Sequence, residues 1–446
     1  MTAKHPLTRW LERASPTVFS TYAILAAFST YFCMYAFRKP WAAGTFEGTA
    51  DLSIMPEMDL KILYVISQVL GYCLSKFIGI KIISELSAAK RAAAILLVIG
   101  FAELALLLFA ITPAPWSAFC LFLNGLPLGM VWGLVFGFLE GRKLSELLGA
   151  GLSASYIIAS GVVKAVGRGL MVDYGISEYW MPFVTGLLFA IPLVVCVFLL
   201  SKLPPPNAED IASRTKREPM DSTARKAFIL RFLPGLFFLT VLYFFLTAYR
   251  AVRDDFAVDI WIALGYESKP SILATSEMWV GFGVLAILAG FIGIRNNRKA
   301  LLIIHGVMVA GSALVGILTY LWQMEVIGPE AWMIGIGLGL YLAYVPYGCM
   351  LFDRMIAALG VVATAGFMIY VTDAFGYLGN IIVLLYKNFF QRDVSIFDFF
   401  VSFSYLTSVV CVVCFLASLV YFARKSHGIE DPATADDVGH AGEAQE

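Results

Sequence analysis

Charged residues are scarce in this sequence. Only 14% of its 446 residues are Asp, Glu, Lys or Arg, whereas 60% belong to the apolar set AVILMFWYC, and the mean hydropathy is +0.80. In soluble domains roughly a quarter of the residues are charged. An ordinary soluble protein is therefore excluded, and an integral membrane protein is expected. Basic and acidic residues balance at 32 each, and no basic arm or recognition motif is present, so nothing indicates nucleic acid as a partner.

Histidine and cysteine are also sparse, and neither forms a recognisable site. The four histidines do not have the spacing of metal ligands. All seven cysteines fall inside apolar runs, so a disulfide framework is not expected, and we interpret Cys411-x-x-Cys414 as helix packing. No nucleophile–base–acid set and no cofactor loop is found, so we expect neither an enzyme nor a bound metal or cofactor.

Long apolar runs are abundant instead. A membrane-spanning helix needs about 20 apolar residues, and a dozen runs approach that length. The sequence therefore predicts an all-α integral membrane protein with twelve transmembrane helices, the first of them uncleaved. The predicted spans are 18–45, 60–82, 91–111, 116–139, 147–171, 180–201, 229–262, 271–294, 299–321, 331–352, 357–386 and 398–423.

The charged residues that do occur alternate in sign from one connection to the next. Basic residues of one set of connections include Lys81, Lys90, Arg298, Lys299 and Arg354. Acidic residues of the other set include Glu57, Asp59, Asp173, Glu178, Glu325 and Glu330. Because basic loops remain in the cytoplasm, both termini are predicted to be cytoplasmic in a multi-pass protein of the cell (inner) membrane.

The chain reads as two halves of one repeat. The most polar internal stretch, Pro204–Lys226, divides the spans six and six, and a displacement of 212–215 residues places Arg38 on Arg250 and Gly71 on Gly283. We predict a lobe over 1–202, a cytoplasmic linker over 203–228, a second lobe over 229–426 and a disordered acidic tail over 427–446. Two parallel six-span repeats are typical of a secondary transporter whose site lies between the halves.

Several short motifs carry a family resemblance. They are Tyr35-Ala-Phe-Arg38-Lys39, Gly71-Tyr-Cys-Leu-Ser75-Lys76-Phe77, Asn124-Gly125-Leu-Pro-Leu-Gly129-Met130-Val-Trp132, and Tyr249-Arg250 followed by Asp255. With them the chain resembles the major facilitator superfamily, and its nearest likeness is to the organophosphate:inorganic phosphate antiporters. It departs from them in span five, where Ser155–Ser160 offers no histidine. The sequence as a whole is also similar to an uncharacterised bacterial membrane family of the superfamily. That resemblance implies no substrate.

The resemblance implies that Arg38 and Arg250 grip a phosphoryl group from opposite halves and that Lys76 adds charge to the same site. Physical chemistry favours the same residues, because a charge inside a bilayer costs ~2.5–3.5 kcal/mol and usually faces a cavity or a partner. A guanidinium also matches phosphate or carboxylate oxygens with a planar fork. The alternatives are that both arginines snorkel to the outer interface and that Lys76 is an ordinary lysine near the cytoplasmic side. Tyr35 and Tyr249 are candidates for the cavity wall.

Two further cations and three acids lie inside predicted spans. Lys164 and Arg168 are four residues apart, so they share one helical face that either lines the cavity or snorkels outward. Glu103, Glu277 and Asp373 are expected either to carry a coupling proton or to neutralise a neighbouring arginine.

Glycine recurs every fourth residue in the fourth predicted span, from Gly125 to Gly141. Such a strip presents a bare helical face against which another helix can pack closely. We therefore expect a close helix contact along this face.

These features together predict a monomeric transporter of a small organic anion, such as a phosphorylated metabolite, that works by alternating access. Its counter-ion would be a proton or phosphate. The lipid bilayer would surround the protein. A sensor of transporter fold that binds without transporting is the alternative, and measured flux distinguishes the two.

Overall fold

The structure, a computed structural model, describes residues 5–52, 55–85, 88–139, 145–207, 210, 222–267, 269–291, 294, 296–361 and 365–427. The predicted acidic tail from residue 428 onward, residues 211–221 of the predicted linker and Gly141 of the glycine strip lie outside these ranges.

The described chain is mostly helical, as the apolar runs predict. Its first eight helices are α1 (Pro6–Glu12), α2 (Pro16–Tyr35), α3 (Leu60–Glu85), α4 (Ala88–Ile111), α5 (Ser117–Leu128), α6 (Val131–Phe136), α7 (Ser145–Tyr174) and α8 (Met181–Ser201). The later ones are α9 (Ser222–Asp255), α10 (Ala257–Ala263), α11 (Ser271–Ala289), α12 (Asn297–Gln323), α13 (Pro329–Pro346), α14 (Phe352–Leu359), α15 (Ala365–Phe390) and α16 (Ile396–Lys425).

Each of the twelve predicted spans overlaps one of these helices. Within the described ranges, nine helices are long and apolar enough to cross a membrane. The expected class, an all-α multi-pass membrane protein, is confirmed. One element was not predicted: strands β1 (Thr49–Leu52) and β2 (Met55–Asp59) form a small antiparallel hairpin in which Thr49 pairs with Asp59.

The first span ends earlier than predicted. Helix α2 stops at Tyr35, not near residue 45, and the chain then turns into a short 3-10 helix, Pro40–Ala43. Proline explains the difference, because Pro40 has no N–H to donate to the Ala36 carbonyl, so the helical hydrogen bonding cannot continue past it. Arg38 therefore stands in a turn after the helix. The prediction that it lies within the first transmembrane helix is wrong.

Three other predicted spans are interrupted. The fourth consists of α5 and α6, separated at Gly129 and Met130 just after Pro127. The seventh breaks at Phe256, between α9 and α10. The tenth passes from α13 through a π-helical turn, Tyr347–Leu351, that begins directly after Pro346. Proline accounts for the interruptions of the fourth and tenth spans, since it removes a helical hydrogen bond.

Contacts along the chain divide it into two compact units. The first unit consists of Met1–Arg214, Arg253–Met278 and Leu384–Phe397, and the second of Thr215–Val252, Trp279–Val383 and Asp398–Glu446. In the first unit, the hairpin is held by the end of α15 and the residues just after it: Asn388 Oδ1 accepts from the Asp59 N–H at 2.9 Å, and Arg392 donates to the Glu57 carbonyl at 2.9 Å. The Thr49 hydroxyl and the Arg392 guanidinium both lower the pKa of the exposed Glu57 carboxyl.

Helices α3 and α5 of the first unit approach closely through glycines, as the strip predicts. A Cβ atom at Gly71 would lie 2.1 Å from the Phe122 carbonyl oxygen, and one at Gly125 would lie 2.3 Å from the Gln68 carbonyl oxygen. At Gly129 the Cβ atom would meet Ser75 Cβ at 2.6 Å. Two backbones thus touch where any side chain would force them apart, and this contact fixes Gln68 against α5.

Replacement of Gly125 by alanine is expected to destabilise the protein by about 1–3 kcal/mol, because the added methyl group collides with backbone that cannot rotate away. The measurement is the thermal unfolding midpoint of the purified protein in detergent. Gly100→Ala is the matched control, since a Cβ atom there meets nothing within 4 Å and alanine is the better helix former. Equal midpoints for Gly125→Ala and wild type would contradict the close contact.

Candidate functional site

Arg38 lies among aromatic rings in the first unit. Its guanidinium carbon is 4.1 Å from the centroid of the Tyr72 ring and 5.6 Å from that of Tyr35, and its Nη1 atom is 3.5 Å from the Tyr35 hydroxyl. The Tyr31 ring packs edge-on against Tyr35 at 5.6 Å. A ring face attracts a cation without cancelling its charge. The Arg38 side chain is partly exposed.

Lys76 joins the same cluster. Its ammonium nitrogen is 5.3 Å from the centroid of Tyr72, and the side chain is partly exposed. The structure thus brings together Arg38, Lys76 and Tyr35, three of the residues selected from the sequence, around Tyr72. We call Arg38, Lys76, Tyr31, Tyr35 and Tyr72 the first arginine cluster.

Arg250 has a comparable environment in the second unit. Its guanidinium carbon is 5.0 Å from the centroid of Tyr344, whose ring stacks on Tyr243 at 5.4 Å. The Tyr243 hydroxyl lies 3.1 Å from that of Tyr344 and donates to Asp373 Oδ1 at 2.8 Å. Asp373, selected as a coupling or charge-pairing acid, therefore reaches Arg250 through two tyrosines. Arg250, Tyr243, Tyr344 and Asp373 form the second arginine cluster.

The internal repeat relates the two clusters. The offset of 212 residues that superposes Arg38 on Arg250 also superposes Tyr31 on Tyr243 and Trp132 on Tyr344. The rings of Tyr31 and Trp132 are 6.2 Å apart in the first unit, matching the Tyr243–Tyr344 pair in the second. The rings that contact Arg38 do not follow the offset, because Tyr35 and Tyr72 correspond to Thr247 and Val284. Sequence reasoning missed Tyr243 and Tyr344, although this offset would have identified them.

Lys164 belongs to a different group, the buried ion cluster. Its ammonium nitrogen is 2.7 Å from Asp254 Oδ1 and 2.7 Å from the Asp254 carbonyl oxygen. Lys39 lies 2.7 Å from Asp254 Oδ2 and also pairs with Asp255, while the Ser160 hydroxyl donates to Asp254. Two cations and two anions balance, and Lys39, Lys164 and Asp255 are nearly inaccessible. The charge of Lys164 is thus neutralised by a carboxylate.

Two more ion pairs lie in the same unit. Arg253 Nη1 is 2.8 Å from Glu277 Oε1, and Lys61 pairs with Asp259. Glu277, predicted to act in coupling or in charge pairing, is thus paired with Arg253. Asp254 binds Lys39 and Lys164.

The structure places Tyr249 and Arg168, two of the selected residues, in other surroundings. Tyr249 is fully buried, with its hydroxyl 2.8 Å from Ser404 Oγ and its ring stacked on Phe400, so it supports helix packing. Arg168 lines a small cleft with Trp261, Glu267 and Lys269, among others.

Glu103 is an acid of helix α4 that faces helix α8. A Cβ atom at Gly186 of α8 would lie 2.1 Å from Glu103 Oε2, so the carboxyl group fills the space that this glycine leaves open. Both of its oxygens are buried and have no hydrogen-bond partner among the described residues. Glu103 therefore places a buried carboxyl group between two helices of the first unit.

Comparison with solved structures identifies the fold as that of major facilitator transporters. The chain is similar to a D-xylose–proton symporter, with a TM-score of 0.61 and 15% identity over 92% of this chain and 98% of that one. It is also similar to a bacterial homologue of the human drug peptide transporters PepT1 and PepT2 (TM-score 0.60, 12% identity, 91% and 99% coverage). The nucleoside transporter NupG matches with a TM-score of 0.56 and 14% identity over 90% and 99%.

Within that fold the chain belongs to a family of unknown function, DUF5690, whose model matches residues 40–425. None of the curated proteins is a significant match to the sequence.

Asp254→Asn is expected to lower the free energy of unfolding by about 3–5 kcal/mol, because it leaves Lys39 and Lys164 buried with Asp255 as their single counter-charge. Thermal unfolding in detergent measures the change. Glu57→Gln is the control, since it breaks the exposed Glu57–Arg392 pair, whose side chains are 52% and 51% accessible, and should leave the midpoint unchanged. Similar midpoints for the two variants would show that the buried ion cluster does not stabilise the fold.

Proposed function

We propose that this protein is a secondary transporter that moves a small organic anion, such as a phosphorylated metabolite, across the cell membrane by alternating access. The observation that carries the proposal is the pair of arginine clusters, one from each repeat, with Arg38 and Arg250 at equivalent positions. The fold supports transport, because the solved structures that share it are described as symporters and transporters.

The chemistry of the clusters supports an anion as the substrate. Each guanidinium offers a rigid fork of N–H donors that matches two oxygens of a phosphate or carboxylate. Each also rests on a tyrosine ring, which stabilises the cation while leaving its charge uncompensated by that contact. Two such forks, with the Lys76 ammonium beside the first, suit a phosphate ester better than a neutral sugar. This agrees with the resemblance to the organophosphate:inorganic phosphate antiporters.

The same contacts narrow the set of candidate ligand-binding residues. Arg38, Arg250 and Lys76 remain, with Tyr35 as a wall of the first cluster. Lys164 is assigned to the buried ion cluster and Tyr249 to helix packing, and Arg168 lies in a separate cleft. Asp373 is our candidate for the residue that couples transport to a counter-ion, either a proton or phosphate. Two hydrogen-bonded tyrosines, Tyr243 and Tyr344, connect it to Arg250.

The proposal includes the arrangement inferred from the sequence. Lobes over 1–202 and 229–426 would be joined by a cytoplasmic linker over 203–228. Both termini would be cytoplasmic, and the protein would act as a monomer in the cell membrane. Internal repeats of this kind allow one site to open alternately to the two sides.

The first test is thermal unfolding of the purified protein with phosphorylated, carboxylated and sulfonated metabolites. A ligand present at 100 times its Kd stabilises the folded protein by ~2.7 kcal/mol. We expect stabilisation by one class of anion and its loss in both Arg38→Ala and Arg250→Ala. Arg231→Ala is a matched control, because Arg231 also lies on an aromatic ring, 5.3 Å from the centroid of Phe232, but is exposed and outside both clusters.

Uptake of the stabilising anion into liposomes containing the protein then tests transport. Binding that depends on both arginines, without uptake or exchange, would identify a sensor. Stabilisation that persists in Arg38→Ala and Arg250→Ala would contradict the anion site altogether.

A further inference from the structure

The turn that carries Arg38 presents backbone carbonyls with no helical partner. Helix α2 ends at Tyr35, and the residues after it turn with their own N–H groups bonded backward: Phe37 N–H to Met34 O and Arg38 N–H to Tyr35 O. The carbonyls of Phe37 and Arg38 point onward, where Pro40 interrupts the helical pattern. A buried carbonyl without a donor costs free energy comparable to a lost hydrogen bond, so this turn needs donors from elsewhere.

Two buried amides supply those donors. Gln68 Nε2 of α3 donates to the Arg38 carbonyl at 2.9 Å and to Asn124 Oδ1 at 2.8 Å. Asn124 Nδ2 of α5 donates to the Phe37 carbonyl at 2.9 Å and to the Ala102 carbonyl at 3.0 Å. Gln68 is 5% exposed and Asn124 is fully buried. We call these two side chains the amide clamp.

Helix α3 therefore contacts Arg38 twice. Gln68 holds its carbonyl, and Tyr72, four residues further along the same helical face, lies under its guanidinium. The next residue of the turn, Lys39, enters the buried ion cluster. The amide clamp thus fixes the backbone between a partly exposed arginine and a buried, paired lysine.

The second repeat lacks the clamp. At the same 212-residue offset, Gln68 and Asn124 correspond to Val280 and Ile336, both fully buried. There Arg250 lies inside the continuous helix α9, whose own hydrogen bonds satisfy the neighbouring carbonyls. Apolar residues at these positions are therefore compatible with the fold. The amides occur in the repeat in which the arginine stands on an irregular turn.

We infer that Gln68 and Asn124 are positioning residues of the anion site, which hold the turn 36–39 so that the Arg38 guanidinium stays over Tyr72 and available to the anion. This inference rests on the proposed function for its ligand. Its geometric part, the placement of Arg38, stands on the contacts alone. A polar pair in a helix interface costs free energy relative to apolar residues, and a positional requirement at Arg38 explains why it is present.

The test uses Gln68→Met and Asn124→Leu, which remove the amide donors at nearly constant volume. Reaction of arginines with phenylglyoxal, followed by peptide mass spectrometry, reports the environment of Arg38 without any ligand. We expect Arg38 to be labelled several-fold faster in both variants, while Arg250 in the same samples is labelled at the wild-type rate. Unchanged labelling of Arg38 in folded Gln68→Met protein would overturn the inference.

The second readout is the Kd for inorganic phosphate, obtained by thermal-shift titration. Misplacement of a binding group by a fraction of an ångström is expected to raise this Kd about tenfold in both variants. In an Arg38→Lys background the same substitutions are expected to change the Kd little further, because they act through Arg38. An equal loss of affinity in both backgrounds would show that the amides act elsewhere.

Asn388→Ala is the matched control for a general loss of stability. Asn388 is also a buried asparagine of the first unit whose amide bonds backbone, at Asp59 N–H and the Glu57 carbonyl, but it holds the hairpin. We expect it to lower the unfolding midpoint with the phosphate Kd unchanged. Failure of wild type to bind phosphate would count against the proposed function, and the phenylglyoxal result would still decide on the amide clamp. If Asn124→Leu does not fold, Gln68→Met alone decides.

Discussion

Inside a bilayer no water is available to solvate a charge or a backbone amide, and each such group must find its partner within the protein. The described polar contacts follow from this constraint. Lys39 and Lys164 share Asp254 and Asp255, Arg253 pairs with Glu277, and Gln68 and Asn124 satisfy carbonyls where α2 stops. The acids that pair with these cations are Asp254, Asp255 and Glu277, and all three lie in the segment Arg253–Met278 of the first unit. Ion pairs therefore join this part of the chain to the rest of the first unit.

Arg38 and Arg250 satisfy the same constraint by another contact. Their cations rest on tyrosine rings, and a ring face lowers the energy of a guanidinium without neutralising it. Lys164, by contrast, is bound to Asp254.

Repetition and divergence both contribute to the site. The offset that relates the arginines also relates the Tyr31–Trp132 pair to the Tyr243–Tyr344 pair, but Tyr72, which lies under Arg38, corresponds to Val284. The two halves also differ in how the backbone carries the arginine. In the second repeat a continuous helix does so, while in the first a proline ends the helix and two amides from neighbouring helices replace the missing hydrogen bonds.

The sequence by itself determined the membrane class and the approximate spans, because hydropathy is a property of the chain order. It also predicted the repeat and selected the two arginines from a constant offset. It placed Arg38 inside a helix, since an apolar run does not reveal where Pro40 stops the hydrogen-bond ladder. It also could not separate Lys164 from Arg38, as both are basic residues in apolar runs. Only the tertiary structure shows that Lys164 contacts Asp254 and that Arg38 contacts Tyr72. Each contact joins residues that are far apart in sequence and meet only when the chain folds.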